Sequence, residues 1–351
     1  MSNLIYTTAE QQLEKLKSQH LNIPNPENAL LCLKAFGYSN LIKGYRDPYI
    51  ITTDTSKVYR AGVTFEQIYS LYMFDKTLRN AVMAAMQDLE EHIKEVAANI
   101  IAQSFGIDNK DYLQFRNYQN RTKRKTQFTL LHLLKTMQET TMSGKEPIHY
   151  YMTKYGSVPP WILFKSVYFS TIVNYIDQFK SKEKRMMARA LYHDATLPDD
   201  ALCKLMMDTL FICLDYRNRA AHGGRIYNYE SSWQFRKEEI WGKDPTITVS
   251  GFSKLLFLLK LLTYSNPYDR LNQTLTQELN RHCSFFSEDT TYLGQILNIN
   301  ISIQHPVWIS KKSHKYHTFK YCSGLKNADS MLVEDAIAAG YCACPKCCEI
   351  N

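Results

Sequence analysis

The sequence predicts a mainly α fold that ends in a small C-terminal metal-binding module. Three observations carry this. Apolar residues recur at helical spacing along most of the 351-residue chain, strand signals are confined to two short runs, and five of the nine cysteines crowd the last thirty residues.

From Phe65 to Phe105, the residues Ile68, Leu71, Tyr72, Leu78, Val82, Met86, Leu89, Ile93, Val96, Ile100 and Ile101 recur at steps of three, four and seven, with no Gly or Pro among them. That spacing predicts one long helix or two nearly continuous ones. Thr126 to Thr141 is helical by the same test. Pro159 and Pro160 then stop the chain, and Trp161 to Phe179 resumes as an apolar helix. Asp199 and Asp200 can cap a helix from Ala201, whose stripe of Leu202, Leu205, Met206, Leu210, Ile212 and Leu214 runs toward Tyr216 until Gly223 and Gly224 end it. Phe252 to Tyr264 and Leu271 to His282 add two helices, with Asn266 and Pro267 as the break between them. The two strand runs are Thr246 to Val249 and Ile296 to Ile303. Asp75 and Arg79 stand four apart on the long helix, the spacing of a helix-surface salt bridge, and Asp75, Glu90 and Glu91 are not read as a metal site.

With 45% hydrophobic and 22% charged residues the chain can bury a real core, which excludes a disordered or collagen-like protein and suits one large or two modest domains. The longest apolar run, Leu255 to Leu262, is broken by Lys260 and falls well short of the roughly 18 residues that a membrane span needs. The N-terminus has no apolar stretch of the signal-peptide type. A soluble, cytoplasmic protein is therefore expected, with no membrane partner. In that compartment clustered cysteines suit a metal better than a disulfide framework, while Cys32, Cys203, Cys213 and Cys283 read as small core residues.

The net charge of +8 is a mild bias toward an anionic partner such as nucleic acid. The 24 tyrosines suit stacking on unpaired bases, or equally reflect an AT-rich genome. Basic residues cluster twice. Asn109 to Lys125 carries six positive charges against one negative, among them Arg116, Arg121, Lys123, Arg124 and Lys125, interleaved with Tyr112, Phe115 and Tyr118. These five cations are the candidate RNA contacts, and a solvated helix face is the plainer alternative. The second cluster is Lys180, Lys182, Lys184, Arg185 and Arg189.

At the end of the apolar helix, Arg217, Asn218, Arg219, His222 and Arg225 fall within nine positions. An Arg and a His at the exposed end of such a helix can aim a permanent cation and a titratable imidazole at one phosphate. The pair fits metal-independent RNA cleavage, with the imidazole moving protons and the guanidinium meeting charge built up in the transition state. A helix-capping His is the plain structural alternative.

The string Arg217-Asn218-Arg219-Ala220-Ala221-His222 resembles the R-N-x-x-x-H signature of HEPN proteins, in the form shown by the abortive-infection AbiD/AbiF family. Phe36-Gly37-Tyr38 with Gly44-Tyr45, Tyr72 to Arg79, Leu89-Glu90-Glu91-His92-Ile93 and Pro159-Pro160-Trp161 are similar to that family in the same order, over about residues 25 to 235. The resemblance implies a HEPN-like helical bundle, a role in phage defence, and binding of a small structured noncoding RNA. It implies catalytic roles for Arg217 and His222, a polar organising role for Asn218, and RNA contacts by Arg219 and Arg225. HEPN nucleases build one site from two motif copies, and Arg189 to His193 has the wrong spacing for a second. An active enzyme would then be a homodimer, direct or RNA-bridged. The rivals are a noncatalytic RNA-binding scaffold and a zinc-dependent DNA-binding regulator.

In the tail, His317, Cys322, Cys344 and Cys347 have the spacing of a structural zinc site, with Cys344-Pro345-Lys346-Cys347 as the C-x2-C turn. The segment resembles the knuckle appended to bacterial nucleases and Ada-type repair proteins, and His314, Cys342 and Cys348 are alternative ligands. A helix near Leu332 to Ala339 is expected to pack over the site. The expected division is a helical domain over residues 1–300 and a zinc knuckle over 305–351.

Overall fold

The computed structural model describes residues 6–52, 57–120, 128–193, 196–302, 306–318, 322, 325 and 328–348. In chain order the helices are α1 (Ala9–Ser18), α2 (Pro26–Phe36), α3 (Phe65–Phe105), α4 (Asn109–Tyr112), α5 (Leu130–Thr141), α6 (Ile148–Tyr155), α7 (Pro160–Leu163), α8 (Phe169–Asp177), α9 (Ser181–Leu191), α10 (Asp199–Ala221), α11 (Lys237–Trp241), α12 (Gly251–Lys260), α13 (Asn266–Cys283), α14 (Asp289–Leu297) and α15 (Val333–Ala338). The strands are β1 (Ile50–Thr52), β2 (Lys57–Tyr59), β3 (Pro306–Ser310), β4 (Lys315–His317), β5 (Asp329–Leu332) and β6 (Cys342–Ala343). The protein is mainly α, as its periodicity predicts. Among the described residues no helix is long and apolar enough to cross a membrane.

The chain forms two compact units, Met1–Phe74 with Thr276–Gln295 and Ile299–Asn351, and Asp75–Leu275 with Ile296–Asn298. The first holds a buried polar network. His282 joins Asp289 and Ser70 through its two ring nitrogens, each at 2.9 Å, while the Tyr49 hydroxyl donates to Asp289 at 2.6 Å and the Gln67 amide at 3.1 Å. Such a network is tolerated in a core because its members satisfy one another. In the same unit β3 pairs antiparallel with β4 and β5, and β6 adds to β4 in parallel, giving the order β5-β3-β4-β6.

The second unit is organised by α10, which α8, α9, α11 and α12 pack against. Leu202, Leu205, Met206, Leu210, Ile212, Cys213 and Tyr216 are all buried, so this helix is core on several sides rather than along one stripe. The aromatic cluster of Tyr112, Tyr118, Phe164, Tyr175 and Phe179 fills another part of the interior.

Several elements depart from the sequence reading. α3 is one uninterrupted helix, which resolves the one-or-two question. The apolar run Trp161 to Phe179 breaks at Val167 and Tyr168, both extended. The rings of Phe164 and Tyr175 lie 5.8 Å apart, whereas eleven residues of straight helix would separate them by about 16 Å, so the break lets an all-apolar segment bury both halves. Pro267 lies inside the first turn of α13 rather than breaking it, because a first-turn proline forfeits no helical hydrogen bond. Thr246 to Val249 is irregular, and Ile296 and Leu297 end α14 instead of starting a strand, while Ile303 lies outside the described residues.

Candidate functional site

α10 carries the Arg217 to His222 segment out of the core. Tyr216 is fully buried, Arg217 and Asn218 are half-buried, and Arg219 and His222 are exposed. The helix stops one residue before His222, which occupies the C-cap position. Gly223 then adopts φ +69, its amide reaching the Ala220 carbonyl at 3.1 Å, and the Gly224 amide reaches Arg219 at 2.9 Å. This pair of bonds is the Schellman ending that a left-handed glycine permits. A Cβ on Gly224 would meet the Arg219 side chain at 2.3 Å, so a larger residue there would displace that arginine.

Arg217 and Asn218 meet through Nη1 and Oδ1 at 3.4 Å. Arg219 turns aside, with its guanidinium 4.9 Å from the centre of the Tyr229 ring and its Nε donating to the Arg225 carbonyl at 3.2 Å. Behind them, Tyr229 and Ser231 donate to Asp215 at 2.8 and 2.6 Å, tying the returning chain to α10. Arg217, Asn218 and His222 are thus gathered at one helix end, and Arg225 lies half-buried beside them.

Two further residues hold this end in place, and the surface-salt-bridge reading of them is corrected. Asp75 is completely buried, and its Oδ1 accepts from the backbone amides of Ile226 and Tyr227 at 2.8 and 2.9 Å. Arg79, 3.7 Å from Asp75, donates to the Gly223 carbonyl at 2.6 Å. Both chain segments that follow His222 are therefore fastened to α3. The available signal was an acidic and a basic residue that directly follow the apolar Phe74 and Leu78, where a surface pair is out of place.

The basic clusters fare differently. Arg116 is exposed on the turn Phe115–Asn117, and its carbonyl accepts from Lys180 at 2.5 Å, which brings the two clusters together. Arg121, Lys123, Arg124 and Lys125 lie outside the described residues. Tyr112 and Tyr118 are not stacking platforms. Both are buried, with the Tyr112 hydroxyl on the Val158 carbonyl at 2.6 Å and that of Tyr118 bonded to the Tyr175 hydroxyl. In the second cluster Lys184 is buried against Asp177 at 3.3 Å and Arg189 pairs with Asp199 at 2.7 Å, so its charge is partly neutralised.

In the C-terminal module His317, Cys322, Cys344 and Cys347 place one ligand atom each within 4.8 Å of one another, a group that could hold a metal ion. Cys322 and Cys344 sulfurs are 3.9 Å apart and Cys347 Sγ is 3.5 Å from His317 Nδ1. Bonds of about 2.3 Å to sulfur and 2.0 Å to nitrogen at tetrahedral angles require separations of roughly 3.5–3.8 Å, so the residues fit a tetrahedral ion. Burial, followed by the hydrogen bonds with Cys347 and Cys344, pushes the Cys322 thiol up to about 11. The alternative ligands lie outside this group of four, although Cys348 packs against Cys322 and Cys344. Cys342 is exposed, Cys348 reaches the Tyr316 carbonyl, and the His314 ring lies 5.6 Å from Tyr341. α15 does not cover the cysteines as expected. Its Ala336 packs on Val307 and Ile309, because the apolar face of the sheet, not the metal group, offers surface to bury.

No curated protein and no solved structure matches the chain. Residues 31–228 match the family model described as Abi-like protein, a segment that contains both the Asp75–Arg79 fastening and the Arg217 to His222 helix end. Because that match spans more than half of the sequence, the protein belongs to the Abi-like family, a membership that implies a role in abortive infection as a defence against phage.

Proposed function

We propose that the protein is an RNA-binding HEPN-type endoribonuclease of abortive infection, with Arg217 and His222 as its catalytic pair. The observation that carries this reading is the fastened helix end, which bears Arg217 bonded to Asn218 and an exposed His222 at the C-cap, with Asp75 and Arg79 fixing the chain beyond them. Half-buried Arg217 keeps a permanent cation at the site, and Arg is suited to phosphate oxygens and to the charge that grows on them. His222 takes the proton of a ribose 2′-OH, the 2′-oxygen bonds to the adjacent phosphorus, and the bond from phosphorus to the 5′-oxygen breaks. The imidazolium so formed returns its proton to that oxygen, which leaves as a 5′-OH, and the other fragment ends in a 2′,3′-cyclic phosphate. Asn218 holds the Arg217 guanidinium through its side-chain oxygen. Arg219, Arg225, Arg116, Arg121, Lys123, Arg124 and Lys125 supply the RNA contacts.

One motif per chain makes the working nuclease a homodimer, direct or bridged by RNA, and a small structured noncoding RNA is its controlling partner. The C-terminal group holds zinc through His317, Cys322, Cys344 and Cys347. A bound ion there would tie β4 to the C-x2-C turn in a module with little core of its own.

A noncatalytic ribonucleoprotein scaffold is the second reading. It is favoured by the His222 ring, which has no hydrogen-bond partner to orient it among the described residues. Expression of wild-type and His222→Ala protein in a bacterial host, with sequencing of RNA ends, separates the two. The nuclease reading expects toxicity and new 5′-OH ends that disappear in the variant while RNA binding persists. Equal effects of both proteins would leave the scaffold.

A further inference from the structure

A cavity of about 620 Å³ opens in the second unit between α9, the N-terminal half of α10 and the segment around Trp233. Its most distinctive wall is aromatic. Trp233 stacks on buried Phe211 with ring centroids 4.2 Å apart and planes 17° from parallel, yet it remains 42% exposed. One face of the indole is taken by Phe211, and both rings line the cavity.

This wall is held firmly. The Arg236 amide and Nε donate to Asp208 at 2.9 and 3.0 Å, and the Trp233 amide donates to Ser231 at 3.2 Å. The buried Lys184–Asp177 ion pair also contributes to the lining. Around the platform stand groups of mixed chemistry, namely the cations Arg185 and Lys204, the carboxylate of Asp200, the amide of Gln234 and the hydroxyl of Ser181.

This combination selects a ligand class. A rigid indole with one open face is a platform for a flat heteroaromatic ring, and bases stack on such platforms whatever their sequence. Gln234 offers a donor and an acceptor, and Asp200 can accept from an exocyclic amine. A simple anion is disfavoured, because Asp177, Asp200 and Asp208 share the lining with the cations. A nucleobase that carries one phosphate uses both signs. The volume also lies inside the range of roughly 300–1,000 Å³ usual for small-ligand sites.

We propose that this cavity binds a nucleotide, with the base on the open face of Trp233 and the phosphate at Arg185 and Lys204. Either a free nucleoside monophosphate or an unpaired nucleotide of a bound RNA presents this chemistry. The site does not depend on cleavage at His222, since none of its residues belongs to that helix end.

The test uses the full chain as purified. AMP, GMP, CMP and UMP are titrated by calorimetry, and a fluorescein-labelled single-stranded RNA decamer by anisotropy. The proteins are wild type, Trp233→Ala, Trp233→Phe and the double variant Arg185→Glu/Lys204→Glu, each checked by circular dichroism and thermal melting. Trp233→Ala should weaken binding roughly tenfold or more, and Trp233→Phe should retain most of it. The double variant, altered at exposed Arg185 and at half-buried Lys204, which pairs with Glu239 at 2.9 Å, should weaken it as well. Saturable binding of a monophosphate that depends on Trp233 supports a free-nucleotide site. Loss confined to the decamer supports an RNA base subsite. Wild-type affinity for every probe in both Trp233→Ala and the double variant, or no binding of any probe to wild type, overturns the proposal. The monophosphates hold no phosphodiester bond to cleave, so their binding reads this site without passing through the helix end, and failure of the nuclease reading is distinguishable from failure of this one.

Discussion

The guanidinium of Arg79 donates to the carbonyl of Gly223 at 2.6 Å, so a side chain of α3 grips the residue that follows His222. Asp75, one turn earlier, takes the amides of Ile226 and Tyr227. Three hydrogen bonds thereby fasten the chain after His222 to the long helix.

Asp75→Ala should destabilise the protein by about 3–5 kcal/mol, because it strands Arg79 and two buried amides together. Asp75→Asn keeps a carbonyl oxygen for the amides and should cost less. Urea unfolding of the three proteins gives both values. Equal stability of Asp75→Ala and wild type would mean that the fastening carries no energy.

Gly223→Ala should cost about 1–2 kcal/mol, since φ +69 is left-handed and an L side chain is strained there. Gly224→Ala acts by another route. Its Cβ would collide with Arg219 and drive that side chain off Tyr229, so anisotropy with a labelled RNA should register weaker binding even where the melting temperature barely moves.

Metal analysis of the purified chain should find one zinc per molecule, and a strong chelator should release it with loss of amide-exchange protection around residues 306–318. Cys344→Ser or Cys347→Ser should abolish the metal. Cys342→Ser and His314→Ala should keep it, because neither side chain joins the group. Retention of zinc by Cys347→Ser would point to Cys348 as a ligand instead.

His92 provides a pH response. Its ring stacks on Tyr264 at 4.7 Å with Nε2 buried and unbonded, and burial lowers its pKa from the ordinary 6.5. The unfolded chain then takes up the proton first as pH falls, so stability drops below about pH 6.5. His92→Phe keeps the stacking and cannot protonate. Its stability relative to wild type should rise between pH 7.5 and 5.5 in urea titrations at both values, and an unchanged difference would exclude His92 as the sensor.

Sequence pattern alone determined the helical class, the helical character of Phe65 to Phe105 and the glycine ending at Gly223, because helix burial and left-handed glycine are local in origin, while the structure decided that the stretch is a single helix. The set His317, Cys322, Cys344 and Cys347 was also legible, since metal geometry constrains spacing in the chain. Only the tertiary structure decided the rest. It buried Asp75 beneath Ile226, turned Tyr112 and Tyr118 inward, neutralised Lys184 with Asp177, and laid Trp233 against Phe211. Whether a charge or a ring faces water depends on which distant segment lands on it, and residues such as 75 and 226 share no sequence signal that would announce their meeting.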